Sequence, residues 1–154
     1  MVATMAYQSV LAVLQTLVVL GVAWLAGARL GGGVGGVLLL LLGVVLLTSA
    51  LSAMSNAVAL VAGTQEALIG ISQLVSLPLM FVSSAIMDTR LSPDWVGQVA
   101  RFNPFEWAVV VGRQALSDTP DLGLLWGHAG LLAGLAVVVA ALATLAFRAR
   151  QKAA

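Results

Sequence analysis

Long apolar runs alternate with short polar segments along this chain. Charged residues are absent from 1–28, 30–65, 67–87 and 122–147. A helix of about 20 apolar residues crosses the roughly 30 Å hydrocarbon core of a bilayer. The pattern therefore predicts an all-α, polytopic membrane protein with four spanning helices in a single transmembrane domain, 1–154. The predicted spans are 5–27, 35–61, 66–87 and 123–147.

A polar segment separates the third and fourth predicted spans. Residues 88–122 hold five of the six acidic and three of the seven basic residues. Ser92 as an N-cap, followed by Pro93 at the first helical position, marks the start of a helix. We therefore predict a short helix over 93–101.

The motif NPFE marks a second helix start in the same segment. Asn103 suits the N-cap and Pro104 the first helical position, and Glu106 lies three residues after the cap, as in a capping box. The predicted helix, 104–117, would be about 21 Å long, too short to cross the membrane. It places Glu106 and Arg113 on similar sides. With the preceding short helix it is predicted to form a re-entrant or interfacial hairpin.

Two predicted spans carry uncharged polar residues at helical spacing. They are Ser49, Ser52 and Asn56 in the second span, and Ser72, Gln73 and Ser76 in the third. Small and polar groups on one stripe let a neighbouring helix approach and form hydrogen bonds. Such residues could line a substrate path, form a dimer face, or only join helices, and the sequence leaves these alternatives open.

A glycine-rich stretch separates the first two spans, with five glycines between positions 31 and 36. Gly32 and Gly36 have the GxxxG spacing of closely packed helices. Glycine also loosens helices and favours turns. Because the pair lies in this loop, we predict turn residues rather than a helix contact.

Composition and charge exclude several classes of function. The chain is 61% hydrophobic and 8% charged, with a formal net charge of +1, which gives no electrostatic basis for binding nucleic acid. Lys152 is the only lysine, and no GxxxxGK[ST] loop is present, so any ATP that drives transport must bind another subunit. One histidine, His128, and no cysteine give no convincing catalytic or metal site.

The two ends of the chain differ in charge. Arg148, Arg150 and Lys152 cluster directly after the last predicted span, which favours a cytoplasmic C-terminus. No basic residue precedes Arg29. Because first spans normally have flanking basic residues, we expect the natural beginning to lie upstream. A short native start is the alternative.

The order of these features resembles the C-terminal part of type-2 ATP-binding-cassette (ABC) exporter permeases. The features are a polar-faced helix, the turn GTQEA, a proline-bearing helix running into SLPLMFVSSAIMD, the segment RFNPFEWAV with a following arginine, and a final helix with a basic tail. The nearest resemblance is to the bacterial, daunorubicin-permease-like drug-resistance group. It covers nearly all of the chain and is densest between Ser55 and Leu116.

This resemblance implies a six-helix subunit of the bacterial inner membrane that pairs with a second permease copy and two ATP-binding ABC subunits. The four predicted spans would match the third to sixth, without the first two spans and most of the cytoplasmic coupling loop. The subunit would bind no cofactor, have no ATPase site, and export hydrophobic or amphipathic compounds, such as drugs, by alternating access. The alternative is a non-transporting membrane scaffold or assembly protein.

The resemblance also assigns an external position to the predicted hairpin. Its residues are then candidates for an external gate rather than for catalysis. These gate candidates are Arg101, Asn103, Pro104, Glu106 and Arg113.

Overall fold

The chain is helical in a computed structural model that describes residues 2–28, 31–62, 64–84 and 94–153. The predicted all-α class is confirmed, since the described part of the chain contains no strand. The helices are α1 Val2–Leu25, α2 Gly33–Ala62, α3 Gln65–Phe81, α4 Asp94–Ala100, α5 Pro104–Ala115 and α6 Leu122–Ala153.

Three helices among the described residues, α1, α2 and α6, are long and apolar enough to cross a membrane. The third predicted span is shorter than expected, because α3 has 17 residues and ends at Phe81. At about 26 Å it falls slightly short of the roughly 30 Å core. Ser83 follows this end and donates its N–H and its hydroxyl to the Met80 carbonyl, at 3.2 and 2.9 Å.

The last helix is longer than predicted. It continues past position 147 to Ala153, giving 32 residues and a length of about 48 Å, which exceeds the hydrocarbon core. Alanine, arginine, lysine and glutamine are strong helix formers, so the helix does not need to end where the apolar run ends.

Helix α2 is the central element, with α1, α3, α5 and α6 packed on it. Helix α5 lies between α2 and α6, where the buried residues Val111, Ala129 and Leu132 form a cluster with Leu46 and Leu47 beside it. The C-terminal end of α5 meets the beginning of α2. Its N-terminal half reaches only the middle of α2, which has 30 residues.

The short hairpin helices are close to their predicted bounds. Helix α5 has 12 residues, or about 18 Å, so its predicted shortness is confirmed, although it ends at Ala115 rather than at 117. Helix α4 lies within the predicted range 93–101. Its predicted start at Ser92 and Pro93 lies outside the described residues.

Glycines bring the backbones of α2 and α5 into contact. A Cβ atom added at Gly32 or Gly36 would lie 1.9 or 2.0 Å from the Ala115 carbonyl oxygen, and one at Gly43 would lie 3.0 Å from Val111 Cγ1. Gly32 lies in the turn before α2, as predicted, but the prediction of a turn is wrong for Gly36, and the expectation that the pair makes no helix contact is wrong for both. Gly36 lies inside α2, and both glycines are packed against α5 as GxxxG glycines are against a partner helix.

Candidate functional site

A cleft lined by both polar and apolar side chains lies between α1, α2 and α3. It consists of a cavity of about 350 Å³ lined from α2 and α3 and a second of about 210 Å³ that extends to α1. Its polar side chains are Gln8, Ser55, Ser72, Gln73 and Ser76. We call the two cavities together the polar cleft. Three of the predicted path residues, Ser72, Gln73 and Ser76, are thus brought together.

The predicted polar residues of α2 lie in a different environment. Ser49 Oγ lies 3.4 Å from Ser9 Oγ, and the Ser52 hydroxyl donates to Gln8 Oε1, so both serines bind α1. Asn56 Nδ2 is buried and has no hydrogen-bond partner among the described residues. The α2 stripe therefore includes hydrogen bonds that join two helices.

The polar cleft combines hydrogen-bonding groups with apolar walls and carries no charge. The apolar walls are Leu51, Met54, Val58, Leu68, Ile69, Ile71 and Val75. The larger cavity falls within the range of about 300–1,000 Å³ typical of small-molecule sites. Serine hydroxyls and glutamine amides can donate to and accept from an uncharged ligand. The size of the cleft and its mixture of apolar and hydrogen-bonding side chains therefore suit an uncharged amphipathic molecule.

The N-terminal end of α5 is fastened to α3 by a buried asparagine. Asn103 is 1% exposed, its Oδ1 accepts from the Phe105 N–H at 3.0 Å, and its Nδ2 donates to the Leu79 carbonyl. The predicted N-cap is confirmed by the first of these bonds. The second joins the start of α5 to the last turn of α3.

Glu106 and Arg113 bind Ser84, three residues after the end of α3. The Ser84 N–H donates to Glu106 Oε2 at 2.5 Å, and the Ser84 hydroxyl donates to Glu106 Oε1 at 2.9 Å. Arg113 Nη2 donates to the Ser84 carbonyl at 2.6 Å. Asn103, Glu106 and Arg113, with Leu79 and Ser84, form the α3–α5 clamp.

The capping box predicted from NPFE is only half present. Glu106 has the spacing to bind the Asn103 N–H, but both of its carboxylate oxygens accept from Ser84. The Asn103 N–H instead donates to the Ala100 carbonyl at 3.0 Å. The α4–α5 turn therefore satisfies this donor and leaves the carboxylate available to α3.

The other two gate candidates lie at the turn between α4 and α5. The Arg101 carbonyl accepts from Trp107 Nε1 at 2.7 Å, and the Arg101 side chain is exposed. Pro104 occupies the first position of α5, as predicted. The turn is thus held by a backbone contact from a tryptophan rather than by the Arg101 charge.

The ionisable residues at the start of α6 have local partners. Asp121 Oδ1 accepts from the N–H groups of Gly123 and Leu124 at 2.9 and 3.1 Å, which caps the helix. His128 Nδ1 lies 2.7 Å from the Leu124 carbonyl oxygen. The described residues contain no group of three or more histidine, aspartate or glutamate side chains placed to hold a metal ion.

Sequence reasoning missed three residues that the structure places in these sites. Gln8 and Ser55 line the polar cleft, and Ser84 is the centre of the α3–α5 clamp. Gln8 is a polar residue inside an apolar span, a signal that could have been used. Ser55 is offset from the stripe of Ser49 and Ser52, so periodicity alone did not select it.

The sequence similarities cover both sites. Residues 1–116 match the family model described as ABC-2 type transporter. The chain is 32% identical over 124 residues to the daunorubicin resistance ABC transporter permease protein DrrB1 of Streptomyces coeruleorubidus, a match that covers 78% of this chain and 43% of that protein. No solved structure matches the chain significantly.

The family match extends from α1 to the end of α5 and includes every residue of the polar cleft and of the α3–α5 clamp. The chain spans less than half the length of the curated relative that it matches. Helices long and apolar enough to cross a membrane, together with this match, make it a multi-pass membrane protein. The chain therefore belongs to the ABC-2 type transporter family, in the drug-resistance group of its permeases.

Proposed function

We propose that the chain is the permease subunit of an ATP-driven exporter of hydrophobic or amphipathic compounds, with drugs as the first substrate class. The observation that carries this proposal is the polar cleft, which offers uncharged hydrogen-bonding groups between apolar walls. A drug that partitions into the membrane can place its ring system on the walls. Its hydroxyl and carbonyl groups can then bind Ser55, Ser72 and Gln73.

The energy for export comes from a partner in this proposal. ATP binds and is hydrolysed on separate ABC subunits, and this chain binds no cofactor. Closure of those subunits rearranges the helices of this chain and of a second permease copy, identical or related. Substrate access then alternates between the two sides of the membrane. The relative's printed name, a drug-resistance ABC permease, supports this assignment.

The hairpin of α4 and α5 is the external gate in the same proposal. The basic residues after α6 favour a cytoplasmic C-terminus in the bacterial inner membrane. The beginning of α6 and the C-terminal end of α5 would then lie toward the opposite face. In this proposal α5 enters the transport path from the external side, with Arg113 nearer that face and Arg101, Asn103, Pro104 and Glu106 toward the middle of the membrane.

Single cysteines should label from opposite sides of the membrane if this topology is correct. The chain has no native cysteine, so Gln98→Cys in α4 and Lys152→Cys in the tail each introduce one reactive thiol. We expect a membrane-impermeant maleimide to label position 98 in intact cells and position 152 only after the membrane is opened. Labelling of both positions in intact cells would contradict the proposed topology.

Drug transport should depend on both the ATP-binding subunit and the hydroxyl groups of the cleft. Cells producing this chain with that subunit should accumulate less daunorubicin than cells with an ATPase-inactive subunit. Ser55→Ala with Ser72→Ala removes two hydroxyls from the cleft. Because each hydrogen bond contributes about 1 kcal/mol, we expect the apparent KM for daunorubicin to rise about tenfold or more.

Thr144→Val is a matched control for these changes. The Thr144 hydroxyl donates to the Ala140 carbonyl of its own helix at 2.7 Å and is exposed, so its loss removes a hydroxyl without altering the cleft. We expect the KM of this variant to equal that of the unmodified chain. Equal accumulation with active and inactive ATP-binding subunits would refute the exporter and favour the scaffold alternative.

A further inference from the structure

One end of α3 is fastened to α5 through several hydrogen bonds. Ser84 is 9% exposed, and its N–H, hydroxyl and carbonyl all bind Glu106 or Arg113 at 2.5–2.9 Å. Asn103 adds a bond to the Leu79 carbonyl. Hydrogen bonds with an ionised partner are roughly twice as strong as neutral ones, and they are stronger still away from water. The C-terminal end of α3 therefore has to follow α5.

The other end of α3 is fastened to α2 by the chain itself. Helix α2 ends at Ala62 and α3 begins at Gln65, so two residues join them. Thr64, one of these two, caps α3 by accepting from the Ala67 N–H at 3.2 Å. A connection this short does not let the two helix ends separate, so movement of the α2–α3 turn moves α3.

Between these two ends, α3 is loosely packed. None of the 17 described residues of α3 is buried, and the polar cleft separates part of its length from α1 and α2. Leu74 is 74% exposed within the protein, and Phe81 is 56% exposed. A helix with few side-chain contacts along its flank can shift relative to its neighbours without repacking a core.

Helix α5 differs in this respect, because Val111, Gly112 and Ala115 are buried between α2 and α6. Its C-terminal end is held by the glycine contacts with α2. Its N-terminal end, with Asn103 and Glu106, carries the bonds to α3. Displacement of α3 therefore acts on the less buried N-terminal part of α5, and through Arg113 on its last turn.

From this arrangement we propose that α3 transmits movement from the α2–α3 turn to the hairpin, with Ser84, Glu106 and Arg113 as positioning residues that couple ATP hydrolysis to opening of the gate. This inference rests on the proposed function. The beginning of α2 meets the C-terminal end of α5, which that proposal puts on the external side, so the α2–α3 turn at the other end of α2 lies on the side of the ATP-binding subunits. Breaking the α3–α5 clamp should leave ATP hydrolysis intact and reduce the substrate moved for each ATP.

The experiment compares daunorubicin transport with ATP hydrolysis by the complete transporter in proteoliposomes. Glu106→Gln replaces one carboxylate oxygen by a donor, so it cannot accept both bonds from Ser84. We expect daunorubicin moved per ATP to fall about tenfold or more, and ATP hydrolysis to stay within about twofold of the unmodified complex. Ser84→Ala removes only the hydroxyl bond and should lower the ratio about threefold.

Thr144→Val is again the matched control, because the Thr144 hydroxyl donates to the Ala140 carbonyl of its own helix and lies outside the α3–α5 clamp and the α2–α3 turn. The amount of daunorubicin moved per ATP in this variant should equal that of the unmodified complex. If Glu106→Gln does not assemble, the milder Ser84→Ala decides the result. A normal ratio in Ser84→Ala, with transport by the unmodified complex intact, overturns the coupling role alone. Absence of ATP-dependent transport by the unmodified complex overturns the proposed function itself.

Discussion

Replacing Gly36 by alanine should separate α5 from α2 and lower the thermal stability of the protein. The new Cβ atom would lie 2.0 Å from the Ala115 carbonyl oxygen, far inside van der Waals contact, and a backbone atom cannot move aside alone. Overpacking of this kind costs about 1–3 kcal/mol. Alanine gains about 1 kcal/mol over glycine inside a helix, so the net loss should be up to about 2 kcal/mol.

Gly35→Ala provides a control for that helix gain. Gly35 is the preceding residue of α2, and a Cβ atom there would meet no atom within 4 Å. Melting of the two purified variants in detergent, followed by tryptophan fluorescence, should show Gly36→Ala below and Gly35→Ala at or above the unmodified protein. Equal melting temperatures for both variants would show that the backbone contact does not stabilise the fold.

Loss of the Asn103 side chain should have a still larger effect. Asn103→Ala removes both the cap of α5 and the bond to α3, and it leaves the Phe105 N–H and the Leu79 carbonyl without these partners in a partly buried place. A lost N-cap costs about 1 kcal/mol, and an unsatisfied buried polar group about 1–3 kcal/mol. We expect a total loss of about 2–4 kcal/mol, measured by the same melting assay.

Two further variants separate the contribution of the α5 N-cap to stability from that of the hydrogen bond to the Leu79 carbonyl. Asn103→Ser retains an N-cap oxygen but cannot donate to the Leu79 carbonyl, so its stability should lie between those of Asn103→Ala and the unmodified protein. Thr64→Ala removes an exposed cap from α3 and should cost about 1 kcal/mol. If Asn103→Ala were no more damaging than Thr64→Ala, the bond between α3 and α5 would add nothing to stability.

Hydropathy predicted the helical class and most helix positions because these depend on the composition of each segment. The starts of helices were also predictable where caps are local, as at Asn103 and Thr64. The ends of α3 and α6 were not. The α3 helix ends at Phe81 within an apolar run, where Ser83 donates its N–H and its hydroxyl to the Met80 carbonyl. Helix α6 continues beyond its apolar run because the tail residues favour helix.

Features that depend on contacts between helices were harder to predict from the sequence. GxxxG spacing at Gly32 and Gly36 was visible in the sequence, but its meaning depended on the position of the Ala115 carbonyl. The spacing of Asn103 and Glu106 fitted a capping box, yet the carboxylate binds a residue 22 positions earlier in the chain. Local rules cannot rank a nearby donor against a distant one.

The hydrogen bonds to Ser84 limit which substitutions can accumulate at this site during evolution. Glu106 and Arg113 bind its backbone N–H and carbonyl, which every residue except proline can present, and the hydroxyl adds one contact. Related permeases should therefore vary more at position 84 than at 106 and 113, although a residue without the hydroxyl loses the one side-chain bond. The acidic and basic partners at 106 and 113 act through their side chains, so a change at either should persist only with a compensating change nearby.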